Sequence, residues 1–135
     1  MKIVVIDGQG GRMGSAFIDK WIKSGGGPKE LIAVGTNAMA TSAMMKAGAV
    51  KAATGENPVV VNTSGADFVV GPIGIIAADA LLGEITPKMA QAVACCTAQK
   101  VLLPVNTCMF HVVGVSDNRL SDNIDEAISY ILQNK

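Results

Sequence analysis

A glycine-rich segment follows the first apolar run of the chain and precedes a stretch with helical spacing. Its members are Gly8, Gln9, Gly10, Gly11, Arg12, Met13 and Gly14. At the start of a helix, the backbone N–H groups of such a loop can point at an anion, and the helix dipole favours negative charge. The segment therefore predicts a loop that binds a small phosphate-bearing ligand, and a purely structural tight turn is the alternative.

A carboxylate stands directly before this loop, where it would repel a phosphate unless it is neutralised. Three roles fit Asp7. It could anchor amide groups of the loop, hold Mg²⁺ together with phosphate oxygens, or mark a site for something other than a dinucleotide. Aspartate commonly accepts hydrogen bonds from nearby backbone N–H groups, which makes the anchor the leading hypothesis of the three.

Polar residues also end the second apolar run, where Gly35, Thr36 and Asn37 follow Val34. Dinucleotide-binding folds carry an acidic residue that binds ribose near this place, and Thr36 and Asn37 stand there instead. They could bind a ribose or a 2′-phosphate, but a turn and a helix cap are the favoured interpretation. Another polar residue, Glu84, could cap a helix or reach the same crevice, and capping is favoured.

Turns after two later strands are predicted to lie near the same crevice and to contact the second half of the ligand. They are formed by Gly71, Pro72, Ile73 and Gly74, and by Asn106 with Thr107. Their place after apolar runs puts them at the carboxyl ends of strands, which is where open α/β sheets bind ligands.

The elements that must position these residues alternate along the chain. Strands are predicted at 2–6, 31–34, 49–54, 67–71, 101–104 and 110–115, and helices at 13–22, 38–47, 59–62, 73–83, 87–97 and from 121. Asn57 is predicted to cap the third helix and Thr86 the fifth. This order predicts one Rossmann-like domain over residues 1–135. Its doubly wound, mostly parallel sheet would have five or six strands in the order 3-2-1-4-5-6, with helices on both faces.

The composition of the chain argues against several classes of binding partner. The chain is 50% hydrophobic and 16% charged, and its 11 basic residues balance its 11 acidic ones without a basic run. Nucleic acid and membrane surfaces are therefore not expected as partners. No apolar run approaches the ~20 residues of a spanning helix, and no signal peptide is recognised, so a cytoplasmic location is expected.

Neither a metal site nor a complete catalytic set can be found in the sequence. Cys95 and Cys96 are adjacent and Cys108 stands alone, which fits free thiols rather than a disulfide framework or a CxxC site. His111 is the only histidine, and whether the protein is an enzyme stays open. The high apolar fraction predicts a homo-oligomer, most simply a dimer, with the Met-rich second helix and residues 73–82 as candidate contact surfaces.

The spelling GxxGRMG, formed by Gly8, Gly11, Arg12, Met13 and Gly14, resembles the nucleotide-binding loop of the dihydrodipicolinate reductases. The resemblance implies pyrophosphate contacts from the backbone of 11–14, with Arg12 free to meet a further phosphate. The chain has neither the separate substrate domain nor the histidine-rich segment of that family. Reductase activity is therefore not carried over.

Nearly the whole chain resembles a small bacterial family, of Firmicutes type, whose domain has no assigned function and is expected to be Rossmann-like. The likeness is carried by Ile6-Asp7-Gly8-Gln9-Gly10-Gly11, Gly35-Thr36-Asn37-Ala38, Ala53-Thr54-Gly55-Glu56-Asn57, Gly71-Pro72-Ile73-Gly74 and Gly83-Glu84-Ile85-Thr86-Pro87-Lys88-Met89.

The leading functional hypothesis is a nucleotide- or dinucleotide-binding protein, with NAD(P) as the first ligand to consider. The alternative is a non-enzymatic interaction or regulatory module whose glycine loop is structural. Under the leading hypothesis, replacing Gly11 by valine is expected to abolish ligand binding and leave the fold intact.

Overall fold

The computed structural model describes residues 1–105 and 110–135. Its strands are β1 (Ile3–Asp7), β2 (Leu31–Gly35), β3 (Ala52–Thr54), β4 (Phe68–Pro72) and β5 (Gln99–Leu103). Its α-helices are α1 (Arg12–Lys23), α2 (Ala38–Lys46), α3 (Glu56–Thr63), α4 (Pro87–Cys95) and α5 (Leu120–Gln133). Short 3₁₀ helices span Pro28–Glu30 and Ile73–Ile76.

The five strands form one parallel sheet in the order β3-β2-β1-β4-β5. β1 lies between β2 and β4, with Val5 opposite Ala33 on one side and Val70 on the other. This arrangement confirms the predicted doubly wound, Rossmann-like fold. It also puts the topological switch point, where ligands bind in such sheets, at the carboxyl end of β1.

Both faces of the sheet are covered by helices because successive β1 side chains point to opposite sides. Ile3 and Val5 belong to a core with α1, α2 and α5, in which Trp21 is buried. Val4 and Ile6 belong to a second core with α3 and α4. Because both faces of the sheet are covered, the sequence of a strand such as β1 is, from Ile3 to Ile6, a continuous run of apolar residues rather than an alternation with polar ones.

The predicted sixth strand over 110–115 is wrong. The structure describes these residues, and none of them is in a strand. Gly114 has a φ of 86°, which breaks an extended backbone, and Val113 is 87% exposed. The apolar spacing here therefore does not reflect sheet pairing.

Two helix predictions also need correction. Residues 77–83 are not helical, because Asp79, Leu81 and Leu82 have positive φ angles, and the chain turns back so that the Asp79 N–H donates to Ile85 O (2.7 Å). α3 begins at Glu56 after Gly55, so Asn57 lies inside the helix and does not cap it. By contrast, the Thr86 cap is confirmed, since its hydroxyl accepts from the Met89 N–H (3.1 Å).

Several sequence expectations concern the remaining segments. Asn106, Thr107 and Cys108 lie outside the described residues. Cys95 and Cys96 are free thiols. Among the described residues, no helix has the length and apolar character needed to cross a bilayer.

Candidate functional site

The glycine loop connects β1 to α1 at the switch point. The Gly11 N–H donates to Gly8 O (2.9 Å), and Gly11, with φ 70° and ψ 20°, occupies the N-cap position of α1. No side chain caps this helix. The predicted binding loop is therefore placed where a helix N-terminus opens at the carboxyl edge of a parallel sheet.

Most glycines of the loop are explained by packing against the protein itself. A Cβ on Gly8 would lie 2.6 Å from Thr36 Oγ1, and one on Gly11 would lie 2.7 Å from Ala40 Cα. A Cβ on Gly14 would lie 2.6 Å from Met44 Sδ. Since these neighbours belong to α2 and to the connection that precedes it, the glycines let the loop and α1 approach α2 closely.

Gly10 is the exception among them. A Cβ on Gly10 would meet no atom of the described residues within 4 Å, and its φ lies outside the left-handed region. The expectation that Gly11→Val would spare the fold therefore fails, because Gly11 needs both a left-handed backbone and the space beside Ala40. Gly10 is the loop position where a side chain would point into open space and not against the described protein.

The Asp7 carboxylate anchors the glycine loop by accepting backbone hydrogen bonds. Its Oδ1 accepts the Gly8 N–H at 2.8 Å, and its Oδ2 accepts the Gly14 N–H at 2.7 Å. The residue is 3% exposed. These contacts support the anchor among the three roles considered, since both carboxylate oxygens are used by backbone donors inside the protein.

Burial raises the pKa of the Asp7 carboxyl above its ordinary 3.8, although hydrogen bonds from the Gly14, Gly8 and Met13 backbones oppose the shift. The negative charge of Glu84 raises this pKa further. Desolvation disfavours the charged form, whereas donated hydrogen bonds favour it. The negative charges of Asp7 and Glu84 therefore repel each other across the glycine loop.

Glu84 reaches the crevice and caps no helix, which corrects the favoured interpretation of this residue. The Gln9 N–H donates to both of its oxygens, at 3.1 Å to Oε1 and 3.2 Å to Oε2. Thr36 Oγ1 donates to Oε1 at 2.9 Å, and Asn37 Nδ2 donates to the same oxygen at 2.5 Å. The carboxylate is thus held by the glycine loop and by the end of β2 together.

Burial acts to raise the pKa of Glu84, but the hydrogen bonds from Asn37, Gln9 and Thr36 outweigh it and hold the pKa below the usual 4.5. Glu84 is therefore ionised at neutral pH. The Gln9 N–H therefore already binds an anion, which is the Glu84 carboxylate. The sequence offered only a weak signal for it, a polar interruption between apolar segments.

Asn37 and Thr36 have structural roles that match the favoured interpretation. Asn37 Oδ1 accepts the Ala40 N–H (2.9 Å) and caps α2, while its Nδ2 also donates to Gln9 O (3.0 Å). Gly35 packs closely on Thr41. The polar end of β2 therefore fixes the glycine loop, α2 and Glu84 relative to one another.

The second glycine turn ends β4 beside the loop. A Cβ on Gly71 would lie 2.7 Å from Ile6 O, so this glycine lets β4 and its following turn approach β1. Pro72 and Gly74 are buried, and Ile73 is half-buried at the start of a 3₁₀ helix. The structure thus brings this turn to the strand end next to Asp7, whereas nothing is described for Asn106.

The profile of a family described as "Domain of unknown function (DUF3842)" matches residues 2–135. The chain belongs to this family. No curated protein and no solved structure is significantly similar to it.

Away from the loop, the described residues offer little further chemistry. Over residues 1–105 and 110–135, no group of three or more His, Cys, Asp or Glu side chains could hold a metal ion. His111 is exposed and lies on the segment that precedes α5. A cavity of about 430 Å³ lies beside β5 and α5, lined by Lys100, Leu102 and Tyr130 among others.

Proposed function

We propose that this protein binds a nucleotide, with NAD(P) as the first candidate, and that the ligand's phosphates lie on the loop at 8–14. The proposal rests on one observation. Within the described part of the chain, the Gly10 and Arg12 N–H groups donate to no protein acceptor, while the neighbouring Gln9 N–H already holds a carboxylate. The loop thus presents unused amide donors at the N-terminus of α1, where negative charge is favoured.

The surroundings support a phosphate at this place. Gly10 and Arg12 are exposed, and the Arg12 side chain forms no ion pair within the described residues. The Asp7 charge is engaged by the Gly8 and Gly14 amides. A phosphate on Gly10 and Arg12 would therefore meet two free amides and one guanidinium without displacing Glu84 from Gln9.

Calorimetry of the wild-type protein against NAD, NADP, ADP and ATP, with and without Mg²⁺, tests the proposal. At least one of them is expected to bind below millimolar concentration. Because Asp7 is buried and both of its oxygens accept backbone hydrogen bonds, the affinity is expected not to depend on Mg²⁺ held by this residue. Absence of binding by all four would refute the nucleotide proposal.

Gly10→Val is the variant that tests phosphate binding at the loop most directly. Its side chain would enter open space above the loop, so we expect nucleotide affinity to fall by at least about tenfold, the equivalent of one charge-assisted hydrogen bond. Arg12→Gln, which removes a phosphate partner and leaves the backbone donors, should weaken binding less. The thermal midpoint of both variants should stay near that of the wild type, which separates a lost ligand contact from a damaged fold.

A specific observation favours the alternative, a non-enzymatic homo-oligomeric or regulatory module. Gly8, Gly11 and Gly14 each lie close to neighbouring protein atoms, and for Gly11 these are backbone atoms, so a structural role suffices for them. This alternative predicts an assembled protein without nucleotide affinity. Bacterial, Firmicutes-type origin and a cytoplasmic location stay predictions, and no catalytic residue is proposed.

A further inference from the structure

We infer that Glu84 is the ribose-recognising residue of this site, and that it selects a nucleotide with free 2′- and 3′-hydroxyls over one with a 2′-phosphate. The inference rests on the proposed function, because it names a subsite of the same ligand. It concerns a residue that lies outside the glycine loop and far from it in sequence.

The first argument is position. In dinucleotide-binding sheets, the acidic residue that accepts a hydrogen bond from the ribose 2′-OH follows the second strand of the βαβ unit. Here the end of β2 carries Thr36 and Asn37, whose side chains donate to the carboxylate of Glu84. The carboxylate that β2 lacks is therefore delivered to the same place from the segment between β4 and α4.

The second argument is the free capacity of one oxygen. Oε1 of Glu84 accepts from Gln9 N, Thr36 Oγ1 and Asn37 Nδ2, whereas Oε2 accepts, among residues 1–105 and 110–135, only the longer branch from Gln9 N. An ionised carboxylate offers about four acceptor positions. Since Glu84 is only half-buried, Oε2 can accept a hydroxyl from a ligand.

The third argument is the backbone that carries Glu84. Asp79, Leu81 and Leu82 have φ angles of 65°, 55° and 56°, which L-residues other than glycine rarely adopt. Leu81 packs toward the loop, since its Cδ1 would lie 3.0 Å from a Cβ on Gly8. Strain of this kind persists where the surrounding structure holds it, and it clusters at ligand sites. Here the strained turn carries Glu84, whose carboxylate contacts the loop.

Selectivity follows from charge. A ribose hydroxyl donates to Oε2, whereas a 2′-phosphate would bring a second anion beside the carboxylate and offer it no donor. The opposite role is that Glu84 blocks the site and is displaced by a phosphate. The two roles predict opposite effects of removing the carboxylate.

The test is calorimetry with ADP, 2′-deoxy-ADP, NAD and NADP on the wild type, Glu84→Ala and Glu84→Gln. The wild type should bind ADP about tenfold or more tightly than 2′-deoxy-ADP, and NAD more tightly than NADP. Glu84→Ala should weaken ADP and NAD, leave 2′-deoxy-ADP nearly unchanged, and remove both preferences. Glu84→Gln keeps the side-chain shape, and it should lose the preference for NAD over NADP even if the alanine variant folds poorly.

Asp79→Asn is the matched control. It removes one negative charge from the same segment, and asparagine tolerates the left-handed backbone. The control should keep both wild-type preferences. Tighter binding of all four ligands by Glu84→Ala would overturn the inference in favour of a blocking role. A wild type that binds ADP and 2′-deoxy-ADP equally would overturn it while the proposed function stands, and a wild type that binds none of the four would overturn both.

Discussion

Replacing Gly11 by alanine should destabilise the protein strongly. With φ at 70° and ψ at 20°, Gly11 lies in the left-handed region, where a Cβ costs roughly 1–2 kcal/mol. The added Cβ would also lie 2.7 Å from Ala40 Cα and 2.8 Å from Ala40 O. These are backbone atoms of α2, so α1 and α2 must move apart, at a cost of roughly 1–3 kcal/mol for overpacking.

Together these costs lower the free energy of unfolding by about 2–5 kcal/mol. Urea unfolding followed by circular dichroism would measure the loss, and a slope of ~2 kcal/mol/M would move the midpoint by about 1 M or more. Gly10→Ala is the matched control one residue away. Its Cβ meets no atom within 4 Å in the part of the chain that the structure describes, so the expected result lies between no change and a gain of about 1 kcal/mol.

Equal stability of the two alanine variants, within about 0.5 kcal/mol, would refute this reasoning. It would mean that the close approach of α1 to α2 does not depend on Gly11. The result also decides how binding data are interpreted. If Gly11 is structural, loss of ligand binding in a Gly11 variant carries no information about the ligand, and Gly10 is the position to vary.

Three further predictions follow from burial, strain and charge. Leu82→Asn should stabilise the protein by about 1 kcal/mol, because Leu82 is 96% exposed at a φ of 56°. Leu81→Asn at nearly the same φ should instead destabilise it by about 2 kcal/mol or more, because Leu81 is 6% exposed, and the same sign for both would contradict the argument. Because the pKa of Asp7 is raised above 3.8 in the folded state, the stability that it contributes is present below that pH and is lost as the pH rises through the raised pKa. The unfolding free energy of the wild type relative to Asp7→Asn should therefore fall from acidic to neutral pH, and a constant difference would disprove it. Met39 and Met45 are 70% and 56% exposed, which fits a dimer contact on α2, and light scattering that gives 13.8 kDa would rule the dimer out.

The order of the strands in the sheet could be predicted from the sequence. Apolar runs such as Ile3–Ile6 and Phe68–Val70 predict strands that are buried on both faces, and the helices between them require parallel crossovers. The glycine loop and the Thr86 cap were predictable for the same reason, since both depend on residues close in the chain. Local spacing fails at 110–115, where apolar residues predict a strand that the fold does not contain.

The composition of the candidate site depends on contacts between distant segments and could not be predicted from the sequence. Glu84 is 48 residues from Thr36 in the sequence, and no local pattern links it to the loop that it touches. Likewise, the need for glycine at positions 8, 11 and 14 comes from Thr36, Ala40 and Met44, which approach only when α1 packs on α2. A glycine pattern is the same whether a ligand or a helix requires it, because both demand space beside the backbone. The atom that fills that space is chosen by packing between distant segments, which local spacing does not encode.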